Sequence, residues 1–195
     1  LFVLQLALAD LPELEGFPSS GLLSFFVANW EDYGEECHVR WTSSTEGLSR
    51  REPPGSPPEL TPYGDRMQRE GASLTGRPHR SLPDGNCEEA QEAIDRHAHG
   101  MDKDASDEIA EEIWEWLETE VDPPPHFFGG YPRFTQFDSR GDADECVLLH
   151  LGWDPAAPRE WAVCWGDAGD ANFFCSEAQL QDRQFDRIRF YWDCG

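Results

Sequence analysis

Basic side chains are scarce in this sequence. Its 195 residues include 15 Lys and Arg against 39 Asp and Glu, which gives a formal net charge of −24. Only one of the basic residues is a lysine, Lys103. Because nucleic-acid phosphates are bound mainly through Lys and Arg, we expect no direct binding of DNA or RNA. A basic protein is the partner that such a negative surface attracts.

The sequence also lacks a long apolar run. The longest candidate, residues 1–9, is interrupted by Gln5, whereas a transmembrane helix needs about 20 apolar residues. The same stretch has neither the basic leader nor the small-residue cleavage site of a signal peptide. We therefore expect no membrane partner and a cytoplasmic location. The chain begins at Leu1 inside a predicted strand, so we also expect that an N-terminal segment is missing from it.

Paired cysteines are a third absence. The six cysteines are scattered and no Cys-x-x-Cys pair occurs, so we predict no thiolate zinc site. Free and mostly buried thiols are the expected state in a chain with its own core. Cys164 and Cys175 fall on strands that we predict to be neighbours, and they are the pair that an oxidising compartment would join.

Motifs for metals and cofactors are missing as well. His97 and His99 lie two residues apart, and residues at that spacing on a helix do not face each other, so we interpret them as a solvated helix end. Neither Gly-x-Gly-x-x-Gly nor Gly-x-Ser-x-Gly occurs, which argues against a phosphate-binding loop and a serine nucleophile. We predict no metal, no cofactor and no catalytic residue.

Charge and composition divide residues 1–195, which we predict to be a single domain, into four stretches. Residues 1–46 have the pattern of a first β unit. Residues 47–86 hold seven prolines and six glycines, which indicates an irregular connection. Residues 87–121 carry 13 acidic and 2 basic side chains and are predicted to be an acidic helical insert. Residues 122–195 have the pattern of a second β unit.

Apolar periodicity places the individual elements. Alternating residues predict strands at 2–8, 22–27, 37–42, 146–151, 161–165, 173–175 and 187–192. Spacings of three and four residues predict helices at 88–97 and 106–121, the second with Ser106 as its N-cap. A Ser-x-x-Gln capping box at Ser176 and Gln179 predicts a short helix to residue 183. Because strands and helices occur in separate runs, we predict an α+β fold with largely antiparallel sheets.

The two β units contain an internal repeat. The run Leu4-Gln5-Leu6 followed by Gly21-Leu22-Leu23-Ser24-Phe25-Phe26 has a counterpart in Leu149-His150-Leu151 followed by Gly169-Asp170-Ala171-Asn172-Phe173-Phe174. We interpret this as a duplicated β-hairpin, although short apolar strands also match by chance. A duplication predicts two similar sheets that share one core.

Several longer motifs carry a resemblance to a known family. They are Gly-Gly-Tyr-Pro-Arg-Phe-Thr-Gln-Phe-Asp at 129–138, Trp-Gly-Asp-Ala-Gly-Asp-Ala-Asn-Phe-Phe at 165–174 and Tyr-Trp-Asp-Cys at 191–194. With these runs and the first repeat, the chain resembles the YwqG-like family of uncharacterised bacterial proteins. Members usually have a Gly-Gly-x-Pro motif in an upstream segment, which is absent here, and Gln where this chain has His150. The resemblance implies two related sheet units and no known activity. Some members occur beside secreted-toxin systems, which suggests an immunity or partner-binding role.

Two sets of residues, a polar patch and a turn motif, are candidates for a functional or structural site. A strand over 135–138 would place Gln136 and Asp138 on one face, and with His150 and Asp167 they form our candidate ligand or partner patch. If His150 lies close to a carboxylate, it could act as a general acid or base. The alternative is that His150 is a hydrogen-bonded structural residue. The run Trp165, Gly166, Asp167 and Gly169 indicates a structural turn with positive φ.

Two functions from different classes remain open. The first, which we favour, is a non-enzymatic acidic module that binds a basic protein, with an immunity-type role as one version. The second is an enzyme or small-ligand binder that uses a polar cleft between the two β units. A deep cleft that joins the four patch residues favours the second function, and an exposed apolar patch rimmed by acids favours the first.

Overall fold

The computed structural model describes residues 1–28, 30, 35–49, 61–120, 124–141 and 145–195. They form two antiparallel sheets, of three and four strands, together with four α-helices. The predicted α+β fold with two sheet units is therefore confirmed. No described helix is long and apolar enough to cross a membrane.

The first unit is a meander of three strands. Strand β1 covers Phe2–Ala7, β2 covers Leu22–Ala28 and β3 covers Glu36–Thr42, in the order β1-β2-β3. Strand β1 lies at the edge, where its Val3 carbonyl accepts a 2.6 Å hydrogen bond from the hydroxyl of Tyr63. Tyr63 reaches this place from the connection between the two units, so a side chain covers part of the sheet edge.

The second unit has the same three strands and one more. Strand β5 covers Glu145–Leu151, β6 covers Asp170–Ser176 and β7 covers Arg189–Asp193, and the added strand β4 covers His126–Phe128 beside β5. Helix α4, Glu177–Asp182, joins β6 to β7. It begins at the predicted capping box, in which the Ser176 hydroxyl accepts from the Gln179 N–H and the Gln179 side chain accepts from the Ser176 N–H.

Strand register supports the internal repeat. The first hairpin and the second pair equivalent residues: Leu4 with Phe25, Gln5 with Ser24 and Leu6 with Leu23 in one, and Leu149 with Phe173, His150 with Asn172 and Leu151 with Ala171 in the other. Each hairpin also has an irregularity at the same place, next to Leu4 and next to Leu149. Because a shift of one residue would turn every side chain to the opposite face, this agreement means that both units present equivalent faces to the core.

The core lies between the two sheets. Phe25 of β2 meets Phe173 of β6 with ring centroids 5.1 Å apart, and both rings are completely buried. Trp165 is also fully buried, and it packs edge-on against Trp30 with centroids 5.5 Å apart. The space between the β units is therefore filled by apolar side chains, whose burial provides the main driving force for folding.

The acidic insert forms a pair of helices. Helix α2 covers Glu88–Ala98 and α3 covers Lys103–Glu120, and they pack against each other. Helix α3 begins three residues before the predicted start at Ser106, because the Asp102 carboxylate accepts a hydrogen bond from the Ala105 N–H and so caps the first turn. Helix α2 buries Ala90, Ile94 and Ala98. The apolar residues of α3 stay half-buried or exposed.

Three local predictions differ from the structure. The connection at 47–86 contains a short helix, α1, at Asp65–Glu70, while its residues 50–60 lie outside the described part of the chain. Residues 161–165 are not a strand, since only isolated bridges from Val163 to Tyr63 and from Trp165 to Gly169 occur there. Cys175 consequently lies beside strand β5 and not beside Cys164, whose thiol is directed at the Gly166 carbonyl.

Candidate functional site

The segment 129–138 crosses the outer face of the four-stranded sheet. It begins with Gly129 and Gly130, both at positive φ, which an L side chain adopts only with strain. Phe134, which is buried, then stacks on Phe174 of β6 with ring centroids 6.1 Å apart. The glycine pair thus turns the chain out of β4 so that Phe134 closes the second face of the sheet.

His150 lies beneath this segment and is completely buried. Its ring stacks on Phe127 with centroids 4.3 Å apart, and its Nδ1 is 2.9 Å from the Asn172 Oδ1. The Asn172 amide nitrogen donates to the Arg133 carbonyl, so Asn172 Oδ1 is the acceptor and His150 Nδ1 is the donor. His150 is therefore a buried partner of Asn172, in the position that Gln5 holds toward Ser24 in the first unit.

Asp170 faces the other side of the His150 ring. Its Oδ1 is 3.4 Å from the His150 Nε2, and its Oδ2 accepts a 3.4 Å hydrogen bond from the Thr135 hydroxyl. Burial acts to raise the Asp170 pKa, but the interactions with His150, Arg133 and Thr135 outweigh it and hold the pKa below its usual value. A Cβ at Gly152 would come within 2.9 Å of His150 Nε2, so the backbone of Gly152 fills the space beside this pair.

Gln136 lies on an irregular segment and not on the strand predicted over 135–138. The backbone N–H groups of Thr135 and Gln136 donate to the two carboxylate oxygens of Asp193, at 3.2 and 2.9 Å, so a side chain takes the place of a neighbouring strand. The Gln136 amide donates to the Cys194 carbonyl at 2.7 Å. These bonds attach the segment to the end of β7.

Asp138 belongs to an ionic network centred on Arg140. The Arg140 Nη2 lies 2.5 Å from both Asp138 Oδ2 and Glu89 Oε2, and only 6% of the Arg140 side chain is exposed. Hydrogen bonds from Arg140 lower the pKa of Glu89. Burial acts to raise the Asp138 pKa, but Arg140 and the backbone N–H of Glu88 outweigh it, and the pKa is lowered. The network joins the start of α2 to the 129–138 segment.

The same cluster contains a grouping of metal-ligand types. Within the described residues, Cys87, Glu89 and Asp138 bring ligand atoms within 4.8 Å of one another. The Arg140 guanidinium already binds both carboxylates, however, and burial raises the pKa of Cys87 to about 12. Because a metal-bound cysteine must lose its proton, these residues fit an arginine network better than a metal site.

An open groove of about 480 Å³ runs beside this network, between the two acidic helices and the 129–138 segment. Its apolar side chains are Trp114 of α3 and Phe137 of the segment, and its polar lining includes Glu88, Gln91 and Gln136. Phe137 is 59% exposed, although it is a large apolar residue. We call this feature the Phe137 groove.

Asp167 lies in a separate place. It is exposed on the turn between Trp165 and Gly169, in which Gly166 and Ala168 have positive φ. Gly169 is required for a different reason from the one predicted, because a Cβ there would overlap the carbonyl oxygen of Asp193. The turn therefore fits closely against the end of β7, and Asp167 is exposed on it.

A comparison with protein-family models matches residues 1–194 to a domain of unknown function, DUF1963. The chain belongs to this family. No curated protein matches its sequence. The function of this DUF1963 domain is therefore inferred from the geometry of its candidate site.

In this DUF1963 domain the four residues of the predicted patch do not meet in one cavity. Gln136 and Asp138 both line the Phe137 groove. His150 is sealed beneath Phe127, and Asp167 is exposed on the Trp165 turn. The described residues thus divide the patch into a groove, a buried hydrogen-bonded pair and a surface turn.

The sequence prediction found Gln136 and Asp138 but missed other residues that line the groove. Glu88 of α2, Trp114 of α3 and Arg140 are far apart in the sequence, so no local pattern relates them. Phe137 stands between the polar residues Gln136 and Asp138, but Phe134 of the same segment also has polar neighbours and is buried. The local sequence of this DUF1963 domain therefore did not indicate which of the two rings is exposed.

Proposed function

We propose that this DUF1963 chain is a non-enzymatic protein-binding module that takes a basic segment of another protein into the Phe137 groove. The observation that carries the proposal is the exposed ring of Phe137 facing Trp114 across a groove bordered by acidic helices. Exposed aromatic residues are the usual anchors of protein interfaces. An arginine or lysine side chain would contact both rings with its stem and the carboxylates with its charged end.

Charge supports the choice of partner. The stretch 87–121, which contains both helices beside the groove, has 13 acidic and 2 basic side chains. The electric field of such a negatively charged surface speeds the encounter with an oppositely charged protein, and salt weakens this field by screening it. A basic partner that is captured at low salt should therefore be released as the salt concentration rises.

The alternative function receives less support. An enzyme or ligand binder with a polar cleft between the two β units needs open space there, and Phe25, Phe173 and Trp165 fill the centre of that space. A cavity at its margin has a volume of only about 130 Å³ and is lined by Glu35, Gln136, Tyr191, Trp192 and Asp193. Within the described residues, His150 with Asp170 is the pair that most resembles an acid/base group, and it is closed off by Gly152 and Phe127. The groove remains the better candidate for contact with another molecule.

Affinity capture from the native lysate, with the purified chain as bait, tests the proposal. We expect a basic protein to be retained at low salt by the wild type and to be lost in Phe137→Ala. Trp153→Ala is the matched control, because Trp153 is another exposed aromatic residue, 44% exposed, that is not part of the groove lining. Equal retention by Phe137→Ala and the wild type, or no partner at either salt concentration, would contradict the proposal.

The motifs in 129–138 and 165–174 further lead us to infer that the chain is a YwqG-like member of the family, of bacterial origin. None of the six cysteines forms a disulfide, which supports a reducing compartment such as the cytoplasm. An immunity-type role, in which the basic partner is a toxin, is one form of the proposed function. Recovery of a basic toxin in the capture experiment would support it.

A further inference from the structure

Two cysteines face each other across the second sheet. Cys146 of β5 and Cys175 of β6 are direct partners in the antiparallel ladder, and their Sγ atoms are 3.6 Å apart. Partner residues in antiparallel strands have Cα atoms about 4.5 to 5.5 Å apart, and disulfides join Cα atoms about 4.4 to 6.8 Å apart. Rotation of the two side chains is therefore enough to bring the sulfur atoms to bonding distance.

The two thiols differ in their access to solvent. Cys175 is 1% exposed and belongs to the apolar core, while Cys146 is half-buried at its margin. A small reagent in solution can reach Cys146, whereas Cys175 can be reached from Cys146 itself. This is the usual division between a cysteine that attacks and a second cysteine that resolves the product.

The contact between the thiols also favours Cys146 as the nucleophile. A hydrogen bond from the Cys175 thiol lowers the pKa of Cys146, and the same interaction together with burial raises the pKa of Cys175. No neighbouring thiol acts on Cys37 or Cys87 in this way. Burial raises the pKa of Cys37 to about 11 and that of Cys87 to about 12, so both remain protonated and unreactive near neutral pH.

We propose that Cys146 and Cys175 are a redox-active dithiol that exchanges with small disulfides of the glutathione class and closes to an intramolecular disulfide. This inference does not depend on the Phe137 groove. It replaces the pairing of Cys164 with Cys175 that the sequence suggested, because strand β5 and not residue 164 lies beside β6.

The exchange takes place in two balanced steps. The Cys146 thiolate attacks one sulfur of the small disulfide, whose sulfur–sulfur bond breaks, and one small thiolate leaves and takes up a proton. Cys146 then carries no charge, so the charge that raised the Cys175 pKa is removed. Cys175 loses its proton to solvent and attacks the Cys146 sulfur, and the second small thiolate leaves. Two protein thiols are oxidised, and one small disulfide is reduced to two thiols.

The new bond would tie β5 to β6 and close a loop of about 30 residues. The chain-entropy relation gives a stabilisation equivalent to a rise in Tm of roughly 10 °C for a chain of this length. The bond lies beside the ion pair of Arg189 with Glu145, at 2.7 Å, and beside the capping box of α4 at Ser176. Oxidation would therefore strengthen the end of the sheet from which α4 begins.

The test is incubation of the native chain in glutathione buffers of increasing oxidised fraction, followed by thiol titration, intact mass and peptide mapping. We expect the free thiols to fall from six to four, the mass to fall by two hydrogens, the peptides of Cys146 and Cys175 to be linked, and the Tm to rise. Cys175→Ser should stop at a glutathione adduct on Cys146, and Cys146→Ser should form neither product. Cys164→Ser is the matched control and should behave as the wild type.

Two results would overturn the proposal. One is a wild-type chain that keeps six titratable thiols in fully oxidised buffer while the denatured chain reacts. The other is a stable glutathione adduct in the wild type without a linked peptide pair. Peptide mapping of the wild type decides the question even if a serine variant fails to fold.

Discussion

Replacing Arg140 by Met tests how much the ionic network at the start of α2 stabilises the fold. Met keeps most of the volume of the side chain but removes its charge and its donors. Breaking a buried ion pair by removal of one partner costs about 3 to 5 kcal/mol. Because the Glu89 side chain is 36% exposed and solvent screens it, we take the lower end, about 3 kcal/mol. At about 2 to 4 °C for each kcal/mol in a chain of this size, Tm should fall by about 6 to 12 °C.

The matched control is Arg96→Met on α2, the helix that the Arg140 network joins at Glu89. Arg96 pairs with Glu92 at 4.0 Å, and its side chain is 77% exposed. Exposed pairs of this kind contribute about 0.3 to 0.5 kcal/mol, so Tm should change by no more than about 2 °C. Thermal unfolding followed by circular dichroism measures both variants. Equal Tm values for Arg140→Met and Arg96→Met would refute the reasoning.

The effect of pH gives a second check on Arg140. The network lowers the folded-state pKa of both Glu89 and Asp138. A lowered carboxyl pKa adds stability that is fully present above the unfolded pKa of about 4 and is lost as pH falls through the folded pKa. The difference in Tm between the wild type and Arg140→Met should therefore be largest near pH 7 and shrink below pH 4. A difference that stays constant down to pH 3 would contradict this account.

Five further substitutions, at four positions, separate structural roles from exposed ones. His150→Gln should lower the free energy of unfolding in a urea titration by less than about 1 kcal/mol, because Gln5 holds the equivalent place in the first unit. His150→Ala leaves the buried Asn172 oxygen without a donor and should lower it by about 1 to 3 kcal/mol more. Equal losses would show that the repeat does not predict tolerance. Ser176→Ala removes the N-cap of α4 and should cost about 1 kcal/mol by the same measurement, and no loss would mean that the cap is replaced by solvent. Gly169→Ala should lower the yield of folded protein sharply, since its Cβ would overlap a backbone oxygen. Asp167→Asn, at an exposed position of the same turn, should have the yield and Tm of the wild type. Equal yields for the two variants would contradict the close fit of the turn at Gly169.

The sheets were predictable because their strands carry alternating apolar patterns. The strand pattern at 37–42 and the repeat of Leu4 in Leu149 led to the observed hairpins, whose shared register is seen only in the structure. Strand β4 was missed because three residues, His126–Phe128, are too few for a period and follow a run of prolines. Residues 161–165 showed the opposite error, an apolar run that packs into the core without pairing as a strand.

The site was harder to predict than the fold, for a physical reason. Many of the contacts described above join residues that are far apart in the sequence, such as Arg140 with Glu89 and Cys146 with Cys175. Periodicity indicates the face on which a side chain lies, but it does not say which strand or helix lies opposite. Only the sheet order β4-β5-β6-β7 reveals that Cys146 is the neighbour of Cys175. The sequence analysis named individual polar residues, and it could not name the side chains that contact them.

The contact of Tyr63 with Val3 affects how the protein behaves at high concentration. In the second unit the equivalent carbonyl, that of Leu148, accepts a hydrogen bond from the backbone N–H of Gly129. The Tyr63 hydroxyl of the first unit therefore donates the hydrogen bond that a backbone N–H donates in the second. An uncovered strand edge recruits strands from other molecules and leads to aggregation. A side-chain hydroxyl satisfies the Val3 carbonyl without adding another strand, whose own backbone groups could pair with further strands. Burial raises the pKa of Tyr63, so the hydroxyl keeps the proton that it donates. Tyr63 thus satisfies one backbone acceptor of the β1 edge within the molecule, and that position is no longer open to a strand of another molecule.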